Sequence, residues 1–218
     1  MNLQLKNILN ILNNRKLNYW IDSGTLLGLI REKNLLKNDK DIDIGLHIRE
    51  LDKFISIIPK INALGYRSRY ELYNEIPSKY KFYPKNKNFN RTIDLNIYRE
   101  KEEDYLWCPV TCFKEPANIF DKKYQKMIKY FWRRIFQKIE TNKFPYTNVK
   151  NTYSWIIPIK YYKKIIYNNN FCCNMFEEFN SYLEYRYGTW EIPNQDWDLF
   201  RDDGGIIKKT PENLEKRT

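Results

Sequence analysis

Asp41 and Asp43 occupy alternate positions of the run Asp41-Ile42-Asp43-Ile44-Gly45-Leu46-His47, and a second alternating run, Thr92-Ile93-Asp94-Leu95-Asn96-Ile97-Tyr98, carries Asp94. Side chains alternate across a strand, so Asp41, Asp43, Gly45 and His47 share one face while Ile42, Ile44, Leu46 and Ile48 form an aliphatic core face. Same-face neighbours lie about 7 Å apart along a strand. Two carboxylates held at that spacing can close on one or two Mg²⁺ (or Mn²⁺) ions, which take octahedral oxygen ligands and leave positions for phosphate and water. If the two runs pair side by side, Asp94 completes a three-carboxylate cluster. Like charges that close repel unless a cation sits among them. The chemistry such a cluster serves is metal-dependent phosphoryl transfer, with Asp41 and Asp43 on the metal. Asp94 is expected on a second ion or as acceptor of a hydroxyl proton.

Upstream, Ser23-Gly24-Thr25 reads as a small-residue turn in which Gly24 lets backbone N–H groups approach a phosphate and Ser23 or Thr25 adds a hydroxyl. Arg31 is placed to neutralise developing charge, or to pair with Asp39. Trp190 is expected either to stack on a base or sugar or to be buried at the domain end. His47, the sole histidine, lies on the carboxylate face beyond the metal pair, at the rim of the site.

These residues resemble a known family. The run Tyr19-Trp20-Ile21-Asp22-Ser23-Gly24-Thr25-Leu26-Leu27-Gly28, then Arg31, then Asp39-Lys40-Asp41-Ile42-Asp43-Ile44-Gly45, is similar to the signature of the LicD/fukutin-related proteins of the nucleotidyltransferase superfamily. A second block, Tyr182-Leu183 with Tyr187-Gly188-Thr189-Trp190-Glu191-Ile192-Pro193, resembles the block that closes that family's catalytic domain. The resemblance runs from Leu17 to Pro193. It implies a transferase that moves a phosphorylated alcohol (phosphocholine, a polyol phosphate or a sugar phosphate) from a cytidine-diphosphate donor to a glycan acceptor. The sequence departs from the family pattern at Glu32-Lys33, Lys37-Asn38 and Lys40, where the family commonly has His-Gly, Pro-Trp and another Asp. Asp39, Asp41 and Asp43 survive these departures; the loop that contacts donor or acceptor becomes more basic.

The elements that must position these groups can be read from periodicity. Leu5, Ile8, Leu9 and Leu12 give a short amphipathic helix before the Ser-Gly-Thr segment. Residues 51 to 64 carry a helical stripe that Pro59 kinks or breaks and that Gly65 ends. Two strand-like stretches, Tyr66 to Leu72 and Lys79 to Tyr83, flank a turn containing Pro77 and lead to the Asp94 strand. Residues 118 to 140 read as a basic, aromatic helix, and a later helix is expected from Asn174, as N-cap with Glu177 three residues on, to Tyr187 before Gly188. The fold class expected is α+β: a nucleotidyltransferase-like mixed sheet packed with helices over residues 1 to 105, with a helical part over 115 to 195. Together these form one domain over 1 to 200, followed by a polar tail over 201 to 218.

At 218 residues the chain suits one domain with a full core. Its formal charge of +11, from 38 Lys and Arg against 27 Asp and Glu, attracts polyanions: nucleotide diphosphates, phosphorylated glycans, nucleic acid or an anionic membrane surface. No stretch of about 18 apolar residues exists, so no transmembrane segment is expected. The start lacks a signal peptide's apolar core, which points to a soluble, intracellular protein with peripheral membrane contact as an option. Cys108, Cys112, Cys172 and Cys173 could supply four thiolates to structural Zn²⁺, although small buried cysteines are the simpler expectation. Two rival functions remain open: a nucleotidyltransferase acting on RNA, protein or a small molecule, and a non-catalytic basic binding module.

Overall fold

The computed structural model describes residues 2–73, 76–85, 89–101, 104–111 and 152–207. The protein is α+β, and among the described residues its frame is an eight-stranded mixed sheet. The chain opens with helix α1 (Leu3–Asn14), where Asn2 caps the Gln4 and Leu5 N–H groups and Leu5, Ile8, Leu9 and Leu12 turn inward at helical spacing. Strand β1 (Tyr19–Ile21) is buried throughout and runs antiparallel to β2 (Asp41–His47). Between them lies helix α2 (Ser23–Glu32).

The stripe over 51 to 64 is two helices, α3 (Leu51–Ile55) and α4 (Ile58–Ala63). Pro59 sits in the first turn of α4, where its missing N–H costs no helical hydrogen bond. Strands β3 (Tyr66–Tyr73) and β4 (Ile76–Pro84) form a hairpin, with Pro77 inside β4 at a register irregularity opposite Glu71 and Leu72.

Strand β5 (Thr92–Lys101) is the centre of the sheet. It pairs in parallel with β2 through Thr92 to Tyr98, antiparallel with β4 through Ile93 to Asn96, and antiparallel with β6 (Tyr105–Thr111) through Arg99 to Lys101. Strand β7 (Thr152–Pro158) extends the sheet beyond β6. Ile42, Ile44 and Leu46 of β2 with Ile93, Leu95 and Ile97 of β5 build the core face that the alternation foretold.

Gly45 shows why β2 has the sequence it has. A Cβ there would lie 2.1 Å from Cε2 and 2.3 Å from Nε1 of the buried Trp20 ring. The indole thus occupies the space a side chain would need, and it closes the carboxylate face just past Asp43. Gly45→Ala must displace that ring, and we expect a loss of about 1–3 kcal/mol. At about 2–4 °C per kcal/mol for a domain of this size, a thermal melt reads it directly; an unchanged melt would contradict the packing.

Of the helical part expected over 115 to 195, residues 152 to 195 are described and mix short helices with strands. The basic helix over 118 to 140 and Cys112 lie outside the described residues. Residues 152 to 207 hold short helices among strands: helix α5 (Ile159–Tyr162), a hairpin of β8 (Ile165–Asn168) and β9 (Cys173–Phe176), helix α6 (Phe179–Tyr187), helix α7 (Leu199–Asp202) and strand β10 (Ile206–Ile207). Asn174 is therefore a strand residue and no N-cap, because Cys173, Met175 and Phe176 are drawn into the core, where Phe176 packs 4.3 Å from Tyr182 and 5.8 Å from Trp20. Helix α6 does end at Gly188, whose φ is +64°. Part of the polar tail expected over 201 to 218 is drawn into the fold. Asp203 is buried and β10 pairs with β7, so residues 203 to 207 belong to the fold, and 208 to 218 lie outside the described residues.

Candidate active site

The parallel register of β2 and β5 sets Asp43 directly opposite Asp94, and Asp41 opposite Thr92. Asp39, in the loop before β2 and one of the three acidic positions that the family resemblance retains, adds a third carboxylate. Asp39, Asp41 and Asp43 can each offer an oxygen such that all three lie within 4.8 Å of one another. These half-buried carboxylates could hold a divalent cation, and among the described residues they are the cluster with that geometry.

Electrostatics confirm the crowding. Burial, a hydrogen bond with Asp39 and the charges of Asp94 and Asp39 together push the Asp41 carboxyl up to about 7. Burial, then the charges of Asp41 and Asp94, hold Asp43 well above the ordinary carboxylate range. A cation must displace those protons, so its binding strengthens as pH rises through about 7. Raised carboxyl values in the folded state also mean that the metal-free protein loses stability from these groups as pH rises. His47 acts in the opposite sense, since burial lowers it. Subtracting melts taken without metal removes its contribution. We therefore expect the gain in melting temperature caused by Mg²⁺ to grow from pH 5.5 to pH 8 and to vanish in Asp41→Asn; a gain independent of pH would contradict the site.

Asp94 is held differently. It is 3 % exposed, and its Oδ2 accepts from Lys79 Nζ at 2.9 Å and Lys81 Nζ at 2.8 Å. Burial works to raise its carboxyl, yet the two ammonium groups outweigh that and hold it below the usual range. Its Oδ1 is buried without a hydrogen-bond partner. The lysines reach Asp94 because β4 pairs with β5 in the register Lys81 to Asp94 and Lys79 to Asn96. That cross-strand fact is invisible in the sequence.

The segment read as a turn is the first turn of α2, with Asp22 as its N-cap. Thr25 is 1 % exposed, and its Oγ1 accepts from the Asp43 N–H at 2.8 Å, anchoring the strand that carries the carboxylates. Ser23, with a left-handed φ of +49°, gives its N–H to Asp22 Oδ1 at 2.7 Å, and its Oγ faces Arg186 Nη2 at 3.4 Å. Gly24 meets the acidic loop: a Cβ on it would lie 2.4 Å from Asp39 Oδ2, so only glycine lets that carboxylate settle over the helix start.

Beneath lies a buried network that no local sequence pattern announces. Asp22, fully buried, accepts from Tyr182 at 2.5 Å, from Tyr98 at 2.9 Å and from Arg186 Nη1 at 3.3 Å. Arg186 also grips Asp203 through both carboxylate oxygens at 2.7 Å. Arg91, likewise unremarked, donates to the carbonyls of Asp39 and Leu36 and so pins the acidic loop.

Arg31 pairs with neither Asp39 nor a site carboxylate; it donates to the Trp190 carbonyl at 3.1 Å and to Glu32 at 3.1 Å. It thereby ties α2 to the Tyr187–Pro193 block, and Trp190 packs half-buried against the core. His47 is not at the rim. It is 1 % exposed and stacks on Tyr162 with ring centroids 5.2 Å apart. Cys108 on β6 and Cys173 on β9 are buried, and burial pushes both thiols up to about 12. They stand on strands that do not pair with each other, and they join no metal-binding cluster among the described residues.

Residues 16–151, more than half of the chain, match the family described as LicD/FKTN/FKRP, nucleotidyltransferase domain. The chain belongs to the LicD/FKTN/FKRP family. Among curated proteins it is similar to an uncharacterized protein of Rickettsia typhi, 36% identical over 102 residues, covering 47% of this chain and 29% of that protein. An uncharacterized protein of Rickettsia prowazekii is 36% identical over 67 residues, covering 31% of this chain and 25% of its own length. The chain thus spans less than a third of these relatives. Solved structures similar to it include the lincosamide antibiotic adenylyltransferase LnuA with lincomycin bound, at 18% identity and TM-score 0.37, covering 49% of this chain and 61% of that one. Another is ANT(2")-Ia in complex with adenylyl-2"-tobramycin, at 19% identity and TM-score 0.34, covering 47% and 53%. Among the described residues, no helix of this LicD-family protein is long and apolar enough to cross a membrane.

Proposed function

We propose that the protein is a metal-dependent phosphotransferase that moves a phosphorylated alcohol from a cytidine-diphosphate donor to a hydroxyl of a glycan. The observation that carries this reading is the convergence of Asp39, Asp41 and Asp43 on one cation-sized space with Asp94 beside them on β5. The raised carboxyl values of Asp41 and Asp43 mark a site whose charge is incomplete without a cation. Mg²⁺ or Mn²⁺ held there would supply charge neutralisation for the donor's diphosphate.

The protein's own groups do the rest. Thr25 keeps Asp43 in place through its backbone N–H. Trp20 and Gly45 close the inner end of the carboxylate face. Asp94 accepts the proton as the acceptor hydroxyl oxygen bonds to the phosphorus bearing the alcohol. The bond from that phosphorus to the bridging oxygen breaks, and CMP leaves with the electron pair.

A thermal-shift screen of cytidine, uridine, adenosine and guanosine diphosphate compounds with Mg²⁺ tests the donor class. A ligand at 100 times its dissociation constant adds about 2.7 kcal/mol of apparent stability. Cytidine compounds should give the largest shift. A shift with nucleic acid alone would overturn the reading in favour of a polyanion-binding module.

A further inference from the structure

Three observations concern the cations that face the carboxylates. First, the hydroxyls expected to hold the donor's phosphates are buried and already accept from the protein, Thr25 Oγ1 from the Asp43 N–H and Ser23 Oγ from Arg186. Second, Lys79 and Lys81 converge on one oxygen of Asp94 and leave its other oxygen buried and unpartnered. A purely structural ion pair would have a better arrangement available, one ammonium on each oxygen. Third, these ammonium groups also act on the metal pair, Lys81 on Asp41 and Lys79 on Asp43. Both ammonium groups, held on Asp94, therefore bear on the same carboxylate cluster that a metal-bound diphosphate would adjoin. The lysine side chains are 14% and 25% exposed. A lysine is a point charge on a flexible stem, able to swing between acceptors a few ångströms apart. Arg69, cross-strand from Lys81, continues the basic row along the hairpin.

We infer that Lys79 and Lys81 are the donor-phosphate clamp of this site, and that they gate Asp94: their ammonium groups leave its carboxylate only when a diphosphate takes them. The inference rests on the phosphotransferase reading for the donor's identity, while the clamp itself needs only a diphosphate. Before the donor arrives, Asp94 carries two hydrogen bonds on Oδ2 and is a poor proton acceptor. Once the donor is seated, its phosphate oxygens accept from Lys79 and Lys81, and Asp94 is released to face the acceptor hydroxyl. The device keeps the base inactive until the electrophile is in place, so the order of binding is metal and donor first, acceptor second. It also assigns the Lys-Tyr-Lys spacing at 79 to 81 a role that the reading of those residues as a plain strand did not give it.

The test uses inorganic pyrophosphate and CDP, each titrated calorimetrically into the full chain with Mg²⁺, together with Mn²⁺ binding followed by paramagnetic resonance. Each single lysine variant keeps one counterion on Asp94, so folding is preserved and is checked by a thermal melt. Lys81→Met and Lys79→Met should each weaken pyrophosphate and CDP at least tenfold while leaving Mn²⁺ binding unchanged or tighter, and Lys81→Arg should recover most of the loss. Pyrophosphate binding that is equal in wild type and both methionine variants, or absent from the wild type, overturns the clamp. A lysine-dependent affinity for pyrophosphate with no preference for CDP leaves the clamp standing and removes the cytidine donor.

Discussion

Asp43→Asn lowers turnover at least about 1,000-fold, equivalent to ~4 kcal/mol of transition-state stabilisation, and leaves the metal-free protein as stable as the wild type or more so. The two halves of that result come from one cause. Asp43 is a carboxylate kept where a carboxylate is disfavoured: burial, Asp41 and Asp94 all push its carboxyl upward. An amide of the same shape removes the repulsion and keeps the strand register, while the backbone N–H that Thr25 holds is untouched. What it removes is a ligand with negative charge, which a hard divalent ion requires. Steady-state assays beside thermal melts with and without Mg²⁺ check this. If stability and turnover fell together, Asp43 would be a structural residue; if turnover persisted, the cation would be held elsewhere.

Arg186→Met is expected to have the largest effect on folding. The guanidinium is 1 % exposed and lies between Asp22 and Asp203, both buried. Methionine nearly fills the volume but leaves two carboxylates without a cation, and removing one partner of a buried ion pair costs about 3–5 kcal/mol. That is a large share of the 5–15 kcal/mol of a typical domain. The damage reaches the site through a defined route. Asp22 caps α2, whose Thr25 fixes Asp43, and Arg186 also touches Ser23 in its left-handed conformation. Arg186→Met should therefore drop the melting temperature by roughly 10 °C, and pairing it with Asp203→Asn should recover part of the loss. A shift below about 2 °C would mean that the network holds little.

How much of this was legible follows from what alternation and spacing can carry. The β2 and β5 runs declared their faces because Asp, Ile and Asn alternate without interruption, whereas the parallel pairing and register that set Asp94 opposite Asp43 are tertiary facts that alternation leaves open. The α1 stripe was readable for the same reason. Ser23-Gly24-Thr25 was misread as a turn because glycine and a β-branched residue are poor helix formers; the helix is secured by Asp22 and by leucines that bury its face. The break in residues 51 to 64 announced itself through Pro59, while the β8–β9 hairpin did not, since Cys173 to Phe176 carry no turn signal that distinguishes them from a helix start.

The lysines on Asp94 and the Asp22–Arg186–Asp203 network were illegible for a different reason. Each joins residues from separate elements, Lys79 and Lys81 to Asp94 through a hairpin register and Arg186 to Asp22 across 164 positions of chain. Local patterning says nothing about such partners. The missing signals were faint ones: an arginine set among Tyr182, Tyr185 and Tyr187, and two glycines after Asp203 where bulk would collide with Arg186 and the Tyr185 carbonyl.

Phosphorus NMR of the reaction mixture tests the central claim most directly. Given Mg²⁺ and the cytidine-diphosphate alcohol that raises its melting temperature most, the wild-type protein should release CMP and leave the alcohol phosphate on the acceptor, and Asp43→Asn should release none. Release of the alcohol phosphate with the nucleotide retained on the acceptor, or equal CMP release by wild type and Asp43→Asn, would contradict the account.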